Sequence, residues 1–359
     1  MAAYDIAGSW LTGVAAGIDD AVLGAARLLV DLTVMPPPDQ VGSLRESAAF
    51  YRSPELVKEP RRFFPFLDES IHTPRPDLEH LSSRSDRRER YALRFASDYR
   101  PLNPEQRAAY DAQTANHTVH AELWRHRGHA ARGTIIALHG FGMGNPRVDS
   151  TVLMASELFD MGFHVAMLTL PFHGKRKSGL VSGRLFASPD VGRLSEAVAQ
   201  SVQDVVRTAA WLRAELGGCV GVLGLSLGGY VAALTAGLVD DLDFAIPMVA
   251  PVCFGDLAYR FMSSSRRYRD LHAAGLRYEE FRDLYRVHSP LTHALCLPQD
   301  RVMIVAGRGD RIVPVEHPDW LWMHWGRPRI QWLAGGHIAP FGRRHALDSL
   351  RAFFAGLFD

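Results

Sequence analysis

The sequence predicts an α/β protein with a doubly wound, mostly parallel sheet, an inserted helical cap and an N-terminal helical extension. After residue 133, short apolar runs alternate with amphipathic segments, as in parallel sheets that helices cover on both faces. Polar, arginine-rich helical sequence interrupts this alternation at 252–291, which predicts the cap. Residues 1–88 lack the alternation and contain many prolines, so we expect an extension and linker before a main domain at 89–359.

The composition argues against several classes of protein. Forty Lys and Arg residues against 39 Asp and Glu residues give a formal charge of +1, so no overall field favours nucleic acid or an anionic membrane. Three cysteines stand in apolar stretches, Cys219, Cys253 and Cys296, which is unlike the disulfide framework of a small secreted domain. We therefore expect no nucleic-acid partner and a cytoplasmic location.

An apolar segment at 10–35 predicts a helix near the N-terminus. Four charged residues interrupt it, which argues against a membrane-spanning segment; they are Asp19, Asp20, Arg27 and Asp31. We expect this helix to pack on the body or in a dimer contact, and contact with a membrane surface is the alternative. No basic segment precedes it and no cleavage motif follows it, so a signal peptide is not predicted.

Apolar periodicity defines the elements of the main domain. After a charged linker at 84–90, alternation at 91–95 and 118–124 predicts two early antiparallel strands. The later strand candidates are 134–138, 164–170, 220–224, 244–249, 302–306 and 330–333. The helix candidates between and after them are 150–161, 194–216, 227–239, 316–325 and 345–357.

A glycine-flanked serine stands between a predicted buried strand and a predicted helix. The residues Gly224-Leu225-Ser226-Leu227-Gly228 match the G-x-S-x-G nucleophile elbow, which requires this strand and helix context. The glycines allow a turn too tight for larger side chains, and the helix start directs N–H groups toward a developing oxyanion. A glycine-rich turn at a helix start is the structural alternative. We predict Ser226 as a nucleophile.

An acid and a histidine follow the serine in the order expected of its partners. Asp310 lies in the loop after one predicted strand, and His337 lies after the next strand, behind two glycines. Loops at the carboxyl ends of parallel strands meet at one edge of the sheet. We predict Asp310 as the orienting acid and His337 as the general base; a helix cap and a surface histidine are the structural alternatives. The substitute candidates are Glu316 and His345.

A glycine-rich loop follows the first central strand. Residues 139–144 read HGFGMG, and such a loop supplies an oxyanion N–H beside a nucleophile elbow. We predict the N–H groups of Leu227 and Phe141 as the donors, with Gly142 as the alternative to Phe141. The Lys and Ser/Thr of a P-loop are missing, and no G-x-G-x-x-G opens a helix, so no cofactor is predicted.

Sixteen histidines raise the question of a metal site. The densest group is His117, His120, His126 and His129. No set of carboxylates or cysteines accompanies it, and the H-E-x-x-H motif is absent. We therefore predict no metal.

These motifs together resemble the α/β-hydrolase superfamily over 90–359. The resemblance rests on the elbow at Ser226, the His139-Gly140 loop, Asp310 before Ile312-Val313-Pro314, and Gly336-His337. A narrower resemblance rests on the segment LPFHGKRK at 170–177, a later helix with Trp211-Leu212, and the elbow. It is similar to the branch that includes α/β-hydrolase domain-containing protein 18. The chain departs from that branch at His173 and Ser178, so its lipid-directed activity is not carried over.

The motifs and the resemblance imply a serine hydrolase that cleaves a carboxylic ester. Ser226 would attack the carbonyl, His337 would take and return the proton, and Asp310 would orient the imidazole. Cleavage of an amide, a thioester or a carbon–carbon bond by the same residues is the alternative within this class. A non-catalytic binding module is the alternative outside it, because fold alone does not determine function.

Several segments are expected near the substrate, a small-molecule ester. Gly142 and His173 are predicted to bind it, because both lie in loops at the carboxyl edge of the sheet. Lys175, Arg176 and Lys177 form a basic segment that could meet an acidic group, although a solvated loop or salt bridges to the cap are expected instead. Large apolar side chains in the cap either line a pocket for an apolar, lipid-like acyl part or anchor the cap.

Overall fold

A single sheet runs through the structure, a computed structural model that describes residues 10–33, 41–68, 72–82, 87–128, 130–186, 190–262, 272–338 and 342–358. Within these ranges its strands are β1 (Asp77–Leu81), β2 (Arg88–Ala96), β3 (Thr118–His126), β4 (Gly133–Leu138), β5 (Phe163–Leu168), β6 (Cys219–Leu225), β7 (Ala245–Met248), β8 (Met303–Gly307) and β9 (Arg329–Leu333). Their order across the sheet is β1-β2-β3-β5-β4-β6-β7-β8-β9.

The sheet has a parallel and an antiparallel part. The strands from β4 to β9 pair in parallel, whereas β1, β2 and β3 form an antiparallel edge that continues onto β5. The predicted mostly parallel α/β fold is therefore confirmed, as is the antiparallel pair β2 and β3. Because β5 and β6 lie on opposite sides of β4, the winding reverses there, and ligand sites of such sheets lie at the carboxyl ends of these strands.

Helices cover both faces of the sheet. They are α1 (Trp10–Thr33), α2 (Val41–Ala49), α3 (Pro54–Lys58), α4 (Pro104–Asp111), α5 (Pro146–Val152), α6 (Ala155–Asp160), α7 (Val191–Leu216), α8 (Leu227–Ala236), α9 (Phe254–Met262), α10 (Tyr278–Leu284), α11 (Glu316–His324) and α12 (Arg343–Phe358). Ile136 of β4 belongs to a core cluster with α7 and α8, and its neighbour Ile135 belongs to one with α6 and α12. The helix predicted at 150–161 is divided into α5 and α6, because Met154 between them has a φ of 57°.

The N-terminal extension is built into the same core. Tyr51, Phe63 and Phe64 are buried and belong to the core cluster that contains α7. Tyr51 Oη donates a hydrogen bond to Glu196 Oε1 of α7 at 2.8 Å. Strand β1, which was not predicted from the sequence, pairs with β2 at the edge of the sheet. Residues 34–40 and 83–86, which include part of the predicted charged linker, lie outside the described residues.

The first helix packs on the body through small residues. Ala15, Ala16 and Asp19 of α1 are buried, whereas Trp10 and Val14 are exposed. Helix α1 therefore packs on the body, as we expected, and one charged residue, Asp19, lies in its contact with the body. In the ranges that the structure describes, no helix combines the length and the apolar character needed to span a membrane.

The cap is anchored to the main domain by aromatic and polar contacts. Phe254 of α9 stacks on Tyr230 of α8 with ring centroids 4.0 Å apart, and Phe281 of α10 is buried. His317 Nε2 of α11 donates a hydrogen bond to Asp256 Oδ2 of α9 at 2.9 Å. These cap residues are therefore anchors. Residues 263–271, which include the cap arginines Arg266, Arg267 and Arg269, lie outside the described part of the chain.

Candidate active site

The predicted nucleophile lies on a sharp turn between β6 and α8. Ser226 has a φ of 54° and a ψ of −113°, a backbone conformation that residues other than glycine rarely adopt. A Cβ atom on Gly224 would lie 2.0 Å from the carbonyl oxygen of Gly228, and one on Gly228 would lie 2.2 Å from that of Leu138. Both positions therefore require glycine, and the local geometry is that of a nucleophile elbow.

Two hydrogen bonds join the serine, the histidine and the aspartate that the sequence analysis selected. His337 Nε2 lies 2.8 Å from Ser226 Oγ, and His337 Nδ1 lies 2.8 Å from Asp310 Oδ2. Asp310 is buried at 5% exposure, so solvent does not compete for its contact with the imidazole. This arrangement allows the imidazole to accept a proton from the serine while the carboxylate holds the opposite nitrogen.

Asp310 also caps the turn that follows it, which was the structural alternative, and it does so through the carboxylate oxygen that does not contact His337. Oδ1 accepts hydrogen bonds from the N–H groups of Ile312 at 2.9 Å and Val313 at 2.7 Å. Oδ2 is left to the histidine. The two substitute candidates lie elsewhere: Glu316 pairs with Arg260 of the cap, and His345 is exposed on α12.

Opposing effects act on the pKa of His337. Burial alone would lower it, because a protonated imidazole loses its hydration. The charge of Asp310, the hydrogen bond to that carboxylate and the charge of Asp19 outweigh burial and raise the pKa above its usual value. The imidazole is therefore a stronger base than a solvated histidine.

The loop after β4 lies beside the elbow. A Cβ atom on Gly140 would lie 3.6 Å from Ser226 Cβ, so the next residues of this loop border the serine. Leu227 is the first residue of α8, and its N–H group has no partner within the helix. Leu227 and Phe141, with Gly142 as the alternative, remain the predicted oxyanion donors.

His173, predicted to bind substrate, lies beneath this loop. Its ring is fully buried, and its centroid is 5.1 Å from that of His139 and 5.7 Å from that of Phe141. Nδ1 donates a hydrogen bond to the carbonyl oxygen of Pro171 at 2.8 Å. Burial lowers the pKa of His173 to about 3, so the ring is neutral and supports the loop. Contact of His173 or Gly142 with substrate stays a prediction.

The expectation of a solvated basic loop or salt bridges to the cap was wrong for Arg176. Its side chain is fully buried, and Nη1 lies 2.8 Å from Asp204 Oδ2 of α7. Nη2 donates to the carbonyl oxygen of Asn116 at 2.9 Å. The flanking Lys175 and Lys177 are exposed. Sequence alone did not distinguish the three, because the carboxylate that compensates Arg176 lies 28 residues away.

Asp19 also belongs to this region, although it was not predicted from the sequence as a site residue. Its carboxylate is fully buried and accepts hydrogen bonds from the backbone N–H groups of Arg311, His337 and Ile338. In the sequence, Asp19 was used only as one of four charged residues that argue against a membrane-spanning helix. The sequence does contain one indication. Asp19 lies four and three residues after Ala15 and Ala16, so the three share one face of α1, and a face of small residues allows a helix to pack closely on the main domain.

The histidine-rich group does not form a metal site in the described residues, where no three metal-ligating side chains converge. His126 instead stacks on Phe159 with ring centroids 3.7 Å apart. Burial lowers the pKa of His120 to about 4. His129, the fourth member of the predicted group, lies outside the described residues.

No family model matches the chain. Two curated relatives are each 33% identical over 316 residues, covering 86% of this chain and 74% of the relative. They are the uncharacterized proteins Rv2627c and MT2702 from two strains of Mycobacterium tuberculosis.

Solved structures of esterases share the fold. Acetyl xylan esterase 1 from Thermoanaerobacterium sp. JW/SL YS485 has a TM-score of 0.60 at 17% identity, covering 90% of this chain and 99% of that one. The acetyl xylan esterase from Paenibacillus sp. R4 has a TM-score of 0.59 at 14% identity, covering 84% and 95%. At such low identity these likenesses show the α/β-hydrolase fold.

Proposed function

Since the chain belongs to the family of the mycobacterial protein Rv2627c and has the α/β-hydrolase fold, we propose that it is a serine hydrolase that cleaves carboxylic esters. The observation that carries this proposal is the pair of 2.8 Å hydrogen bonds through His337, to Ser226 on one side and Asp310 on the other. The acetyl xylan esterases of the same fold support an ester as the substrate. A place in the branch of α/β-hydrolase domain-containing protein 18 rests on the motif resemblance alone.

The proposed reaction proceeds in two steps. His337 Nε2 takes the proton of Ser226 Oγ as this oxygen attacks the ester carbonyl, and the same proton then passes to the alcohol that leaves. Asp310 holds the imidazole in the tautomer that accepts on Nε2. Water next attacks the acyl-serine, gives a proton to His337, and the acid departs as Ser226 recovers its proton. The N–H groups of Leu227 and Phe141 stabilise the oxyanion in both steps.

The surroundings of the serine support an ester with an apolar acyl part. Phe141 and Ile338 are exposed at 51% and 50%, and exposed apolar side chains beside a catalytic serine are available to bind substrate. Ile338 follows His337 directly. Phe141 follows the glycine beside Ser226, and a Cβ atom on Gly183 would lie 2.9 Å from the Phe141 ring, which places Gly183 beside that ring. A small-molecule, lipid-like ester fits this surface.

Labelling with a fluorophosphonate probe tests the proposal. The wild-type chain should be labelled at Ser226 and should hydrolyse a chromogenic ester, whereas Ser226→Ala should lose both properties and keep its melting temperature. Ser178→Ala, which changes a serine in the loop after β5, is the matched control and should retain both. An unlabelled wild-type chain, or turnover that survives in Ser226→Ala, would show that the protein is not a serine hydrolase of this kind.

A further inference from the structure

One buried carboxylate connects the N-terminal helix to both loops that carry the partners of Ser226. Asp19 Oδ2 accepts hydrogen bonds from His337 N at 2.6 Å and from Arg311 N at 3.1 Å, and Oδ1 accepts one from Ile338 N at 3.0 Å. The N–H groups of His337 and Ile338 belong to the histidine loop, and that of Arg311 follows Asp310 directly. A buried carboxylate requires hydrogen-bond partners, and these three N–H groups supply them for Asp19, which is fully buried.

The close packing of α1 on the two loops is a separate observation. A Cβ atom on Gly309 would lie 2.8 Å from the carbonyl oxygen of Thr12 in α1, and one on Gly336 would lie 2.6 Å from Asp19 Oδ2. Glycine at these two loop positions therefore leaves the space that α1 occupies. The loops are also joined to each other, since Gly309 N donates to the carbonyl oxygen of Gly335 at 3.0 Å.

We propose that Asp19 is a positioning residue of the active site, which holds the Asp310 loop and the His337 loop in register from the N-terminal helix. This inference rests on the proposed function of Ser226, His337 and Asp310. Among the described residues, the hydrogen bonds to the Asp19 carboxylate come from backbone N–H groups of the two loops, so it acts through His337 and does not touch the reacting atoms. The N-terminal extension is then part of the catalytic apparatus.

The charge of Asp19 adds an effect that mere anchoring of α1 would not produce. In the described structure, the charged groups that act on His337 are Asp310 from the β8 loop and Asp19 from α1, and both raise the pKa of the imidazole against the effect of burial. Removing the charge of Asp19 should therefore lower the pKa of His337. The acid limb of the rate profile should move to lower pH.

The matched variants are Asp19→Asn and Asp20→Asn, because Asp20 is the next residue of α1 and is exposed. For Asp19→Asn we expect kcat/KM for an ester to fall by about 10- to 100-fold, as for small misplacements of catalytic groups. The fall should lie in kcat, with KM little changed, and the acid limb should shift to lower pH. Asp20→Asn should match the wild type in kcat, in KM and in the pH of the acid limb. Equal profiles for the two variants, or an unmoved acid limb in Asp19→Asn, would overturn the proposal.

If Asp19→Asn does not fold, a measurement on the wild-type chain tests the proposed contacts between Asp19 and the two loops. Amide hydrogen exchange followed by NMR should show slow exchange at Arg311, His337 and Ile338, although all three lie in loops. Exchange of these amides at the rate of a free peptide would overturn the proposed contacts. Failure of the two proposals is distinguishable, because phosphonate labelling of the wild type tests Ser226 alone and the comparison of the two asparagine variants tests Asp19.

Discussion

His337 Nε2 lies 2.8 Å from Ser226 Oγ, although 111 residues separate the two in the chain. The serine is held by the turn between β6 and α8, whereas the histidine follows β9 at the far edge of the sheet. Two further strands, β7 and β8, lie between them in the sheet. The contact therefore depends on the loop that carries His337 from the end of β9 back over the sheet to the elbow.

The contact between Asp310 and His337 should be required for the rate and not for folding. In Asp310→Asn, the side-chain oxygen can still accept the N–H groups of Ile312 and Val313, but the amide no longer stabilises the imidazolium. We expect kcat to fall by about 10⁴-fold, with the thermal unfolding midpoint little changed. Glu316→Gln is the control, because Glu316 pairs with the cap. A severe loss in Glu316→Gln with an active Asp310→Asn would identify Glu316 as the acid.

Activity should depend on pH through His337. The raised pKa means that the imidazole keeps its proton at a higher pH than a solvated histidine does. Because only the neutral ring accepts the serine proton, kcat/KM should fall with decreasing pH at a midpoint above the ordinary value of 6.5. The measurement is a kcat/KM profile with an ester whose leaving group does not titrate in this range. A midpoint below that value, or a flat profile, would contradict the environment described for His337.

The buried pair of Arg176 and Asp204 should stabilise the folded state. Arg176→Met removes the cation and leaves the Asp204 carboxylate buried without it, so we expect the free energy of unfolding to fall by about 3–5 kcal/mol. Urea unfolding measures this change. Lys175→Met is the matched control, since Lys175 is exposed, and it should change the free energy by less than about 1 kcal/mol. Equal effects of the two substitutions would show that the buried pair adds nothing.

An apolar acyl part should improve the substrate. If Phe141 and Ile338 contact the acyl chain, lengthening it from acetyl to octanoyl should raise kcat/KM by up to severalfold per buried methylene, at about 0.8 kcal/mol each. Phe141→Ala should flatten the series, whereas Phe358→Ala, on the last helix, should leave it unchanged. A series that is flat or falls with chain length in the wild type would show that no apolar acyl site exists.

Much of the fold and the core of the candidate site could be predicted from sequence because their signals are local. The alternation of apolar runs and helices identified the parallel strands. The elbow at Ser226 is visible because Gly224 and Gly228 are required by backbone contacts within the same turn and its neighbouring strand. Asp310 and His337 could be selected because chain order and strand ends restrict where such partners lie.

Only the tertiary structure decided which partner each buried charge has. Asp19 and Arg176 look like ordinary charged residues in sequence, and both are fully buried. Their partners come from distant segments: Asp19 binds N–H groups that lie 292 or more residues away, and Arg176 pairs with an acid on a later helix. Periodicity records which face of an element is buried, but the compensation of a buried charge depends on which segments meet in space. Sequence thus determined the elbow, the order of its partners and the fold class, and packing determined that the first helix lies against the loop of His337.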